Sequence, residues 1–449
     1  MTADDRSIET LAEELARMDA EIVHAGMFDF SGMFRERRLH RKDLLDGAAG
    51  AVFANVVTKW DTAETIMFPG PFRSETVRYD PASLRPYPFE PKAAAVVMDY
   101  TGPQAGLMPR RILADQVARA AALGFDVVAA FEFEFIVLNE TAESLRAKGF
   151  ANLSAYAPDN RCWSGQTAAT HANFIADLEA CLAAADIDMF SLSVELGPGC
   201  IEATLRHRDA LRAADDAAFF RMFTRAFCRK RDLTASFMSL TGAGFPGIGG
   251  HINLSLRDRR TGRNAFADAA ADGNGLSPTA KSFLAGIIEL VPDFFPMIGN
   301  TVNAYRRLSP GSWAPKTVSW APYNYAAAVR TAAEREDLTR LELRLPGSDL
   351  NPHLAMAAML GAGLDGVSRK LPLDSPPIVS GGPNEIPEGV QRLPVDLLDA
   401  TRRFRASPRA PELFGEAFVT HYAALCEAED SALRRAVSAA EVQRYLESG

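Results

Sequence analysis

Two short segments alternate apolar and charged residues with a period of two. In the first, Phe131, Phe133 and Phe135 alternate with Glu132 and Glu134; in the second, Arg340, Glu342 and Arg344 alternate with Leu341 and Leu343. This alternation predicts two β-strands, each with an apolar back and a face that carries only charge. Carboxylates crowded on a sheet face repel one another unless cations lie between them. The pattern therefore predicts bound metal ions, an anionic substrate, or both.

The remaining pattern predicts further helices and strands. A helix is expected over 7–19 and another over 112–123, with strands over 20–28 and 93–98. Residues 191–195 and 200–204 form a predicted β-hairpin that brings Glu195 and Glu202 to the same end. A glycine-rich run, 245–250, leads into a strand with His251, Asn253 and Ser255 on one face. Asn351 followed by proline predicts a helix start, and the C-terminal hundred residues are expected to be helical.

Length, charge and cysteine content narrow the class of protein to which the chain can belong. A chain of 449 residues is too long for one simple core, so we expect two domains, 1–104 and 105–449. The net charge of −9 argues against a nucleic-acid binder. No apolar run approaches the ~20 residues of a membrane helix. Five cysteines without a CxxC spacing and an acidic N-terminus indicate a reducing, cytoplasmic location.

Five glutamates and one histidine now lie on or beside predicted strands. Hard oxygen ligands with one imidazole favour Mg²⁺ or Mn²⁺ over zinc, and five carboxylates suffice for two ions. Two ions with arginines nearby suit phosphoryl transfer, and the arginines available are Arg307, Arg330, Arg340 and Arg344. The alternatives are solvated strand glutamates, a core histidine and a plain ion-pair ladder.

At this point the chain resembles the glutamine synthetase family. Ordered blocks carry the resemblance: residues 131–135, 194–202, 249–253, 303–311, and 340–344 continuing into 351–355. They span about residues 105–449, and the first hundred residues match only loosely. The resemblance implies an α+β fold: an N-terminal β-grasp domain and a catalytic domain with a curved antiparallel sheet flanked by helices. It also implies a homo-oligomer, typically a dodecamer of two stacked hexameric rings with sites at subunit interfaces.

The resemblance further implies a ligase reaction and assigns roles within it. ATP phosphorylates the side-chain carboxylate of glutamate, and an amine then attacks the acyl phosphate. One metal ion would be held by Glu134, Glu195 and Glu202, and a second by Glu132, His251 and Glu342. The other implied roles are amino-acid binding by Arg307 and Arg344, a backbone contact to substrate at Gly247, ATP contacts from Asn253 and Ser255, and phosphate contacts from Arg330 and Arg340.

The chain departs from the family pattern around the amine. Trp313 stands where ammonia-using members carry a glutamate in the flap after Pro310-Gly311, and Tyr325 stands where an arginine is expected. Pro246 replaces an asparagine, and an N-terminal motif that supplies an aspartate to the ammonium pocket is absent; Trp60-Asp61 lies in that region without a clear alignment. An indole neither attracts ammonium nor takes its proton; it offers apolar area and a cation–π face. Trp313, with Trp320, Tyr323 and Tyr325 nearby, is therefore expected to line a pocket for a bulky, apolar or aromatic amine, although Trp313 could instead simply close the flap.

These observations favour an ATP-dependent ligase that makes a γ-glutamylamide from glutamate and an organic amine. Three alternatives stay open: ordinary glutamine synthesis from ammonia, a ligase that uses another acid, and a non-catalytic ring-forming descendant. Retention of all six metal-ligand candidates argues against the last, because a relaxed lineage should lose clustered charges first. Lys316, close to the flap, has no role that the sequence assigns.

Overall fold

The computed structural model describes residues 3–268, 275–309, 312–379, 385–386 and 388–447; Pro310 and Gly311 of the flap lie outside them. The helices are α1 Ala3–Arg17, α2 Arg41–Asp46, α3 Pro109–Ala122, α4 Ala142–Ala147, α5 Gly165–Thr170, α6 Ala172–Ala183, α7 Ala210–Arg229, α8 Pro278–Leu290, α9 Val302–Arg307, α10 Pro352–Arg369, α11 Leu397–Ala406, α12 Arg409–Phe414, α13 Glu416–Arg435 and α14 Ala439–Tyr445. The strands are β1 Ile22–Phe28, β2 Phe34–His40, β3 Val52–Ala54, β4 Ser74–Pro86, β5 Ala93–Tyr100, β6 Phe125–Leu138, β7 Met189–Val194, β8 Cys200–Leu205, β9 Arg208–Asp209, β10 Thr234–Ser236, β11 Gly250–Asp258, β12 Trp320–Pro322, β13 Val329–Ala332 and β14 Arg340–Leu343.

The N-terminal strands form a sheet in the order β2-β1-β5-β4-β3. Strands β1 and β5 run parallel at its centre, and the other neighbours are antiparallel. Leu11 and Leu15 of α1 are buried with Val23 and Val96 of the central strands. The spacing of the two leucines puts them on one face of the helix, so α1 covers this sheet.

The larger sheet has the order β12-β13-β14-β11-β6-β8-β7, with β9 and β10 paired to β6. Its pairs are antiparallel except β12 with β13. Phe131, Phe133 and Phe135 of β6 are completely buried, and the ring of Phe133 stacks 5.4 Å from that of Phe220 on α7. The apolar backs of the strands thus pack against helices, and the charged side chains lie on the opposite face of the sheet. This mixed helix-and-sheet architecture confirms the predicted fold class.

The predicted helix start at Asn351 is confirmed by its hydrogen bonds. The Asn351 side chain accepts from the backbone amides of His353 and Leu354, with proline at the first turn of α10. Its amide also donates to the carbonyls of Asp29 and Phe30, at 3.0 and 3.1 Å. The cap therefore joins α10 to the turn that follows β1. None of the helices in the described ranges has the length and hydropathy of a bilayer-spanning segment.

Candidate active site

Strand register brings the charged residues together on the open face of the large sheet. Across β6 and its two neighbours, Glu132 lies opposite His251, and Glu134 lies opposite Glu202. Directly paired residues of antiparallel strands point to the same face. On the other side of β11, Asn253 lies opposite Glu342. The alternation seen in the sequence is therefore converted by the register into one continuous polar patch.

Three of these residues form a group with the spacing of a metal site. Glu132, His251 and Glu342 each offer a ligand atom, and the three atoms lie within 4.8 Å of one another. The Nδ1 atom of His251 lies 3.6 Å from a Glu132 oxygen and 3.5 Å from a Glu342 oxygen. Burial, reinforced by nearby Arg344, lowers the pKa of His251 well below its usual value. The imidazole is thus held neutral, as a metal ligand must be.

A second acidic group surrounds Glu202. Burial and the neighbouring carboxylates of Glu132, Glu134 and Glu195 raise the pKa of Glu202 to about 8. Burial also raises the pKa of Glu134, against the opposing effect of Arg307 and a hydrogen bond from the Gly249 amide at 2.9 Å. The predicted hairpin is confirmed, and it places Glu195 and Glu202 at its turn end, where the Glu195 amide donates to the Cys200 carbonyl. Repulsion of this kind is relieved by a proton or by a cation.

Two arginines balance Glu342. Arg344 donates to one Glu342 oxygen at 2.6 Å, and Arg330, opposite on β13, donates to the other. Both guanidinium groups lie over the ring of Tyr325, at 5.2 and 4.6 Å from its centroid. Burial lowers the pKa of Arg330, but Glu342 more than offsets this, so the net shift is upward. The Tyr325 ring therefore stacks against two guanidinium groups, at a position where the family pattern would place a third arginine.

The remaining predicted residues surround this centre. Arg307 is buried; its Nη atoms donate to the carbonyls of Leu345 and Arg344, at 3.0 and 3.3 Å, and its Nε atom has no partner. A side-chain carbon at Gly247 would lie 3.1 Å from Arg307 Cγ, so a glycine keeps this approach open. Asn253 donates to Glu132 at 2.9 Å and accepts from Arg340 at 2.9 Å. Ser255 is half-buried further along the same strand face.

The flap differs in part from the expectation. Trp313 and Tyr325 are similarly exposed, at 54% and 53%. Trp320, in contrast, is buried in the core, and its indole N–H donates to the Ser375 carbonyl at 2.9 Å. The expectation that Trp320 lines the amine pocket is therefore wrong. Proximity in sequence to Trp313 does not determine the side of β12 to which the Trp320 ring points.

Sequence reasoning missed Cys162 and Trp163. The Cys162 thiol donates to Glu195 at 3.1 Å, and burial together with this contact raises its pKa to about 12. Trp163 follows with 72% of its surface exposed and a positive φ of 54°. Both lie in a loop without periodicity, so only the folded chain brings them beside the hairpin.

The donor set fits divalent cations. It consists of carboxylate oxygens and one imidazole, which Mg²⁺ and Mn²⁺ accept. The Nε2 atom of His251 is buried without a partner, and the acidic group around Glu202 carries unbalanced charge. A face of this kind, edged by arginines, is suited to hold the phosphates of a nucleotide and an acid substrate.

Comparison with known proteins agrees with this geometry. The family model for the glutamine synthetase catalytic domain matches residues 106–445. Type-1 glutamine synthetase 2 of Dictyostelium discoideum is 32% identical over 93% of this chain and 82% of its own. Glutamate–isopropylamine ligase of a Pseudomonas species is 30% identical over 96% of both chains. Gamma-glutamylethanolamide synthetase GlnA4 of Streptomyces coelicolor is 31% identical over 83% of this chain and 79% of its own.

Solved structures extend the likeness to nearly the whole chain. GmaS without ligand aligns with a TM-score of 0.83 at 26% identity, over 97% of this chain and 99% of its own. GmaS in complex with ADP aligns with a TM-score of 0.84 at 25% identity, over the same shares. The N-terminal sheet is therefore included in the structural match, although the catalytic-domain model begins only at residue 106.

Proposed function

The chain belongs to the glutamine synthetase family, and we propose that it is an ATP-dependent ligase that joins the γ-carboxyl of glutamate to an organic amine. One observation carries the proposal: Glu132, His251 and Glu342 form a group with the spacing of a metal site beside Arg330 and Arg344, whereas the flap offers an exposed indole instead of a carboxylate. The similarity to an isopropylamine ligase and to an ethanolamide synthetase supports an organic amine.

The proposed metal ions are Mg²⁺ or Mn²⁺, two or more per site. Glu134, Glu195 and Glu202 would hold one ion, and Glu132, His251 and Glu342 another. When bound, the ions neutralise the phosphate oxygens of ATP and the reacting carboxylate. Asn253, Ser255 and Arg340 would contact the nucleotide, and the solved ADP complex of a similar protein supports a nucleotide in this fold.

The chain's own residues would act by binding, orienting and excluding water. Arg307 and Arg344 would bind the carboxylates of glutamate, and Arg330 would stabilise the charge of the transferring phosphoryl group. The γ-carboxylate attacks the terminal phosphorus of ATP, forming γ-glutamyl phosphate and releasing ADP. Trp313 would cover this intermediate against hydrolysis. The amine nitrogen then forms the C–N bond, the acyl C–O bond breaks, phosphate leaves, and the amine loses a proton.

The test is ADP release in the presence of Mn²⁺, ATP and glutamate. Each of ammonia, ethanolamine, isopropylamine and aniline is added in turn, and the amide is identified by mass spectrometry. We expect amine-dependent ADP release matched by γ-glutamylamide, with at least one organic amine preferred over ammonia. Aspartate in place of glutamate tests the acid. Absence of ADP release with every amine would overturn the ligase; equal use of ammonia and all organic amines would favour ordinary glutamine synthesis.

We also propose that the protein assembles as two stacked hexameric rings with active sites between subunits. The exposed Trp163, next to the Cys162 that contacts Glu195, and the exposed Trp313 of the flap support a partner surface near the site. Mass photometry is expected to give twelve chains. A monomer with full ligase activity would contradict a shared site.

A further inference from the structure

Lys316 holds the bend that carries Trp313. Its Nζ atom donates to the carbonyls of Ser312 and Ala314, at 2.7 and 2.9 Å. These two residues flank Trp313 in the sequence. One amino group therefore fixes the backbone on both sides of the exposed indole.

The same bend is attached to the helix that bears Arg307. The Ser312 hydroxyl donates to the Arg307 carbonyl at 2.6 Å and to the Ser309 carbonyl at 2.9 Å. Arg307 closes α9 and lies within electrostatic reach of Glu134. The position of Trp313 is thus coupled to residues proposed to bind the acid substrate.

Lys316 also sets the charge of the flap. Residues 310–320 contain no aspartate or glutamate, and Lys316 is their one charged residue. Burial and nearby Arg307 lower its pKa, and Arg307 is the charged group whose field reaches it. A flap with a carboxylate would attract a protonated amine; a flap with a lysine ammonium repels it.

The charge of the incoming amine therefore matters. A simple alkylamine, with a pKa near the ~10.4 of lysine, is protonated at neutral pH, whereas an aromatic amine is uncharged. We propose that Lys316 determines specificity in two ways: it fixes Trp313 over the amine site, and it excludes protonated amines. The site would then select aromatic or otherwise weakly basic amines. This inference rests on the proposed ligase function.

The test compares two amines of similar ring size, aniline and cyclohexylamine. They differ in charge at pH 7, so the ratio of their kcat/KM values reports charge selection by the full-length, Mn²⁺-loaded enzyme. The wild-type ratio is expected to favour aniline. In K316Q, which keeps two N–H donors but loses the charge, use of cyclohexylamine relative to aniline should rise about ten-fold. K316R keeps the charge and should keep the wild-type ratio.

The KM values of the separate substrates distinguish a role of Lys316 in positioning Trp313 from a general loss of structure. In K316M, which loses both donors and charge, the KM values for both amines should rise more than the KM for glutamate, whose proposed ligand Arg307 is coupled to the same bend, and the KM for ATP should stay unchanged. A wild-type enzyme that prefers cyclohexylamine, or a K316Q ratio equal to wild type, would overturn the inference. ADP release with neither amine nor ammonia would instead overturn the proposed ligase function, so the two failures are distinguishable. If K316Q does not fold, the same ratio in K316M, which also lacks the charge, tests charge selection, and a K316M ratio equal to wild type would overturn it.

Discussion

Glu134 occupies the middle of the acidic face. It lies opposite Glu202, accepts the Gly249 amide and has Arg307 in electrostatic reach. The hydrogen bond from the Gly249 amide, at 2.9 Å, restrains one oxygen of its carboxylate. Rigid placement of a charged ligand is what a metal-dependent site needs.

Glu134→Gln removes one charge and keeps the volume and the hydrogen-bond acceptor. We expect amine-dependent ADP release to fall by at least about 100-fold, as when one charge-stabilising group is lost from an active site. Steady-state kinetics over a range of Mn²⁺ concentrations measures this. Glu143→Gln, in the first turn of α4, is the matched control and should retain activity. Robust turnover by Glu134→Gln would rule out its assigned role.

Trp313→Glu restores a carboxylate to the flap. The new charge would attract ammonium and accept its proton, so the kcat/KM for ammonia relative to organic amines should rise by about ten-fold or more. Tyr445 on α14, with a similar exposed fraction of 57%, provides a matched control as Tyr445→Glu. An unchanged amine preference in Trp313→Glu, or the same change in both variants, would show that Trp313 does not shape the amine site.

At the scale of residues, alternation in the sequence correctly predicted which side chains share a sheet face. The paired glutamates, His251 and the 340–344 segment all lie where period-two alternation and register put them. Cys162 and the buried orientation of Trp320 were not predictable, because they depend on contacts between segments far apart in the chain. The roles of the site residues remain predictions.

At the scale of elements, the crossing of α8 and α10 is unusually close. A side-chain carbon at Gly286 would lie 2.9 Å from the Gly366 Cα, and both positions also approach backbone carbonyls of the other helix. Small residues allow this approach. Because the neighbouring atoms are backbone, they cannot yield as a side chain would.

Gly366→Ala should therefore destabilise the protein. Overpacking of this kind costs about 1–3 kcal/mol, which thermal unfolding followed by circular dichroism would detect as a lower midpoint. Gly165→Ala is the control, since nothing lies within 4 Å of the added carbon and the glycine begins α5. Equal midpoints for the two variants would contradict tight packing at the crossing.

The elements that the sequence failed to predict are those stabilised by contacts with other segments of the chain. The proline-rich stretch after Tyr79 has little periodicity, yet it forms the end of β4, with a register shift between Asp80 and Arg85. Pairing with β5 there overrides weak local preference. In contrast, α3, the β7–β8 hairpin and the start of α10 follow local signals of periodicity, turn and cap. The division at residue 104 remains a prediction.

At the scale of the whole molecule, the acidic face should couple stability to pH. Burial and the neighbouring carboxylates raise the pKa of Glu202 in the fold to about 8, from its ordinary 4.5. Folding therefore favours its protonated form, so this contribution to the free energy of unfolding is present below about pH 4.5 and is lost as the pH rises through about 8.

Metal-free protein should accordingly have a lower unfolding midpoint at pH 8 than at pH 6, and Mn²⁺ should raise the midpoint more at pH 8, where it replaces a proton. Thermal scans with EDTA and with Mn²⁺ at both pH values measure this. Glu202→Gln should flatten the pH dependence. A metal-free midpoint that rises from pH 6 to pH 8 would contradict the shift assigned to Glu202.

The strand register makes the acidic face much less tolerant of sequence change than the flap. A one-residue shift in the register of β6, β8, β11 or β14 would turn its acidic or imidazole groups toward the side packed with phenylalanines. Insertions or deletions in these strands would therefore destroy the site. Residues 312–316 of the flap, in contrast, lie outside the strands of both sheets. A descendant could therefore acquire a new nucleophile through a few changes near Trp313 while inheriting the phosphate-handling half untouched.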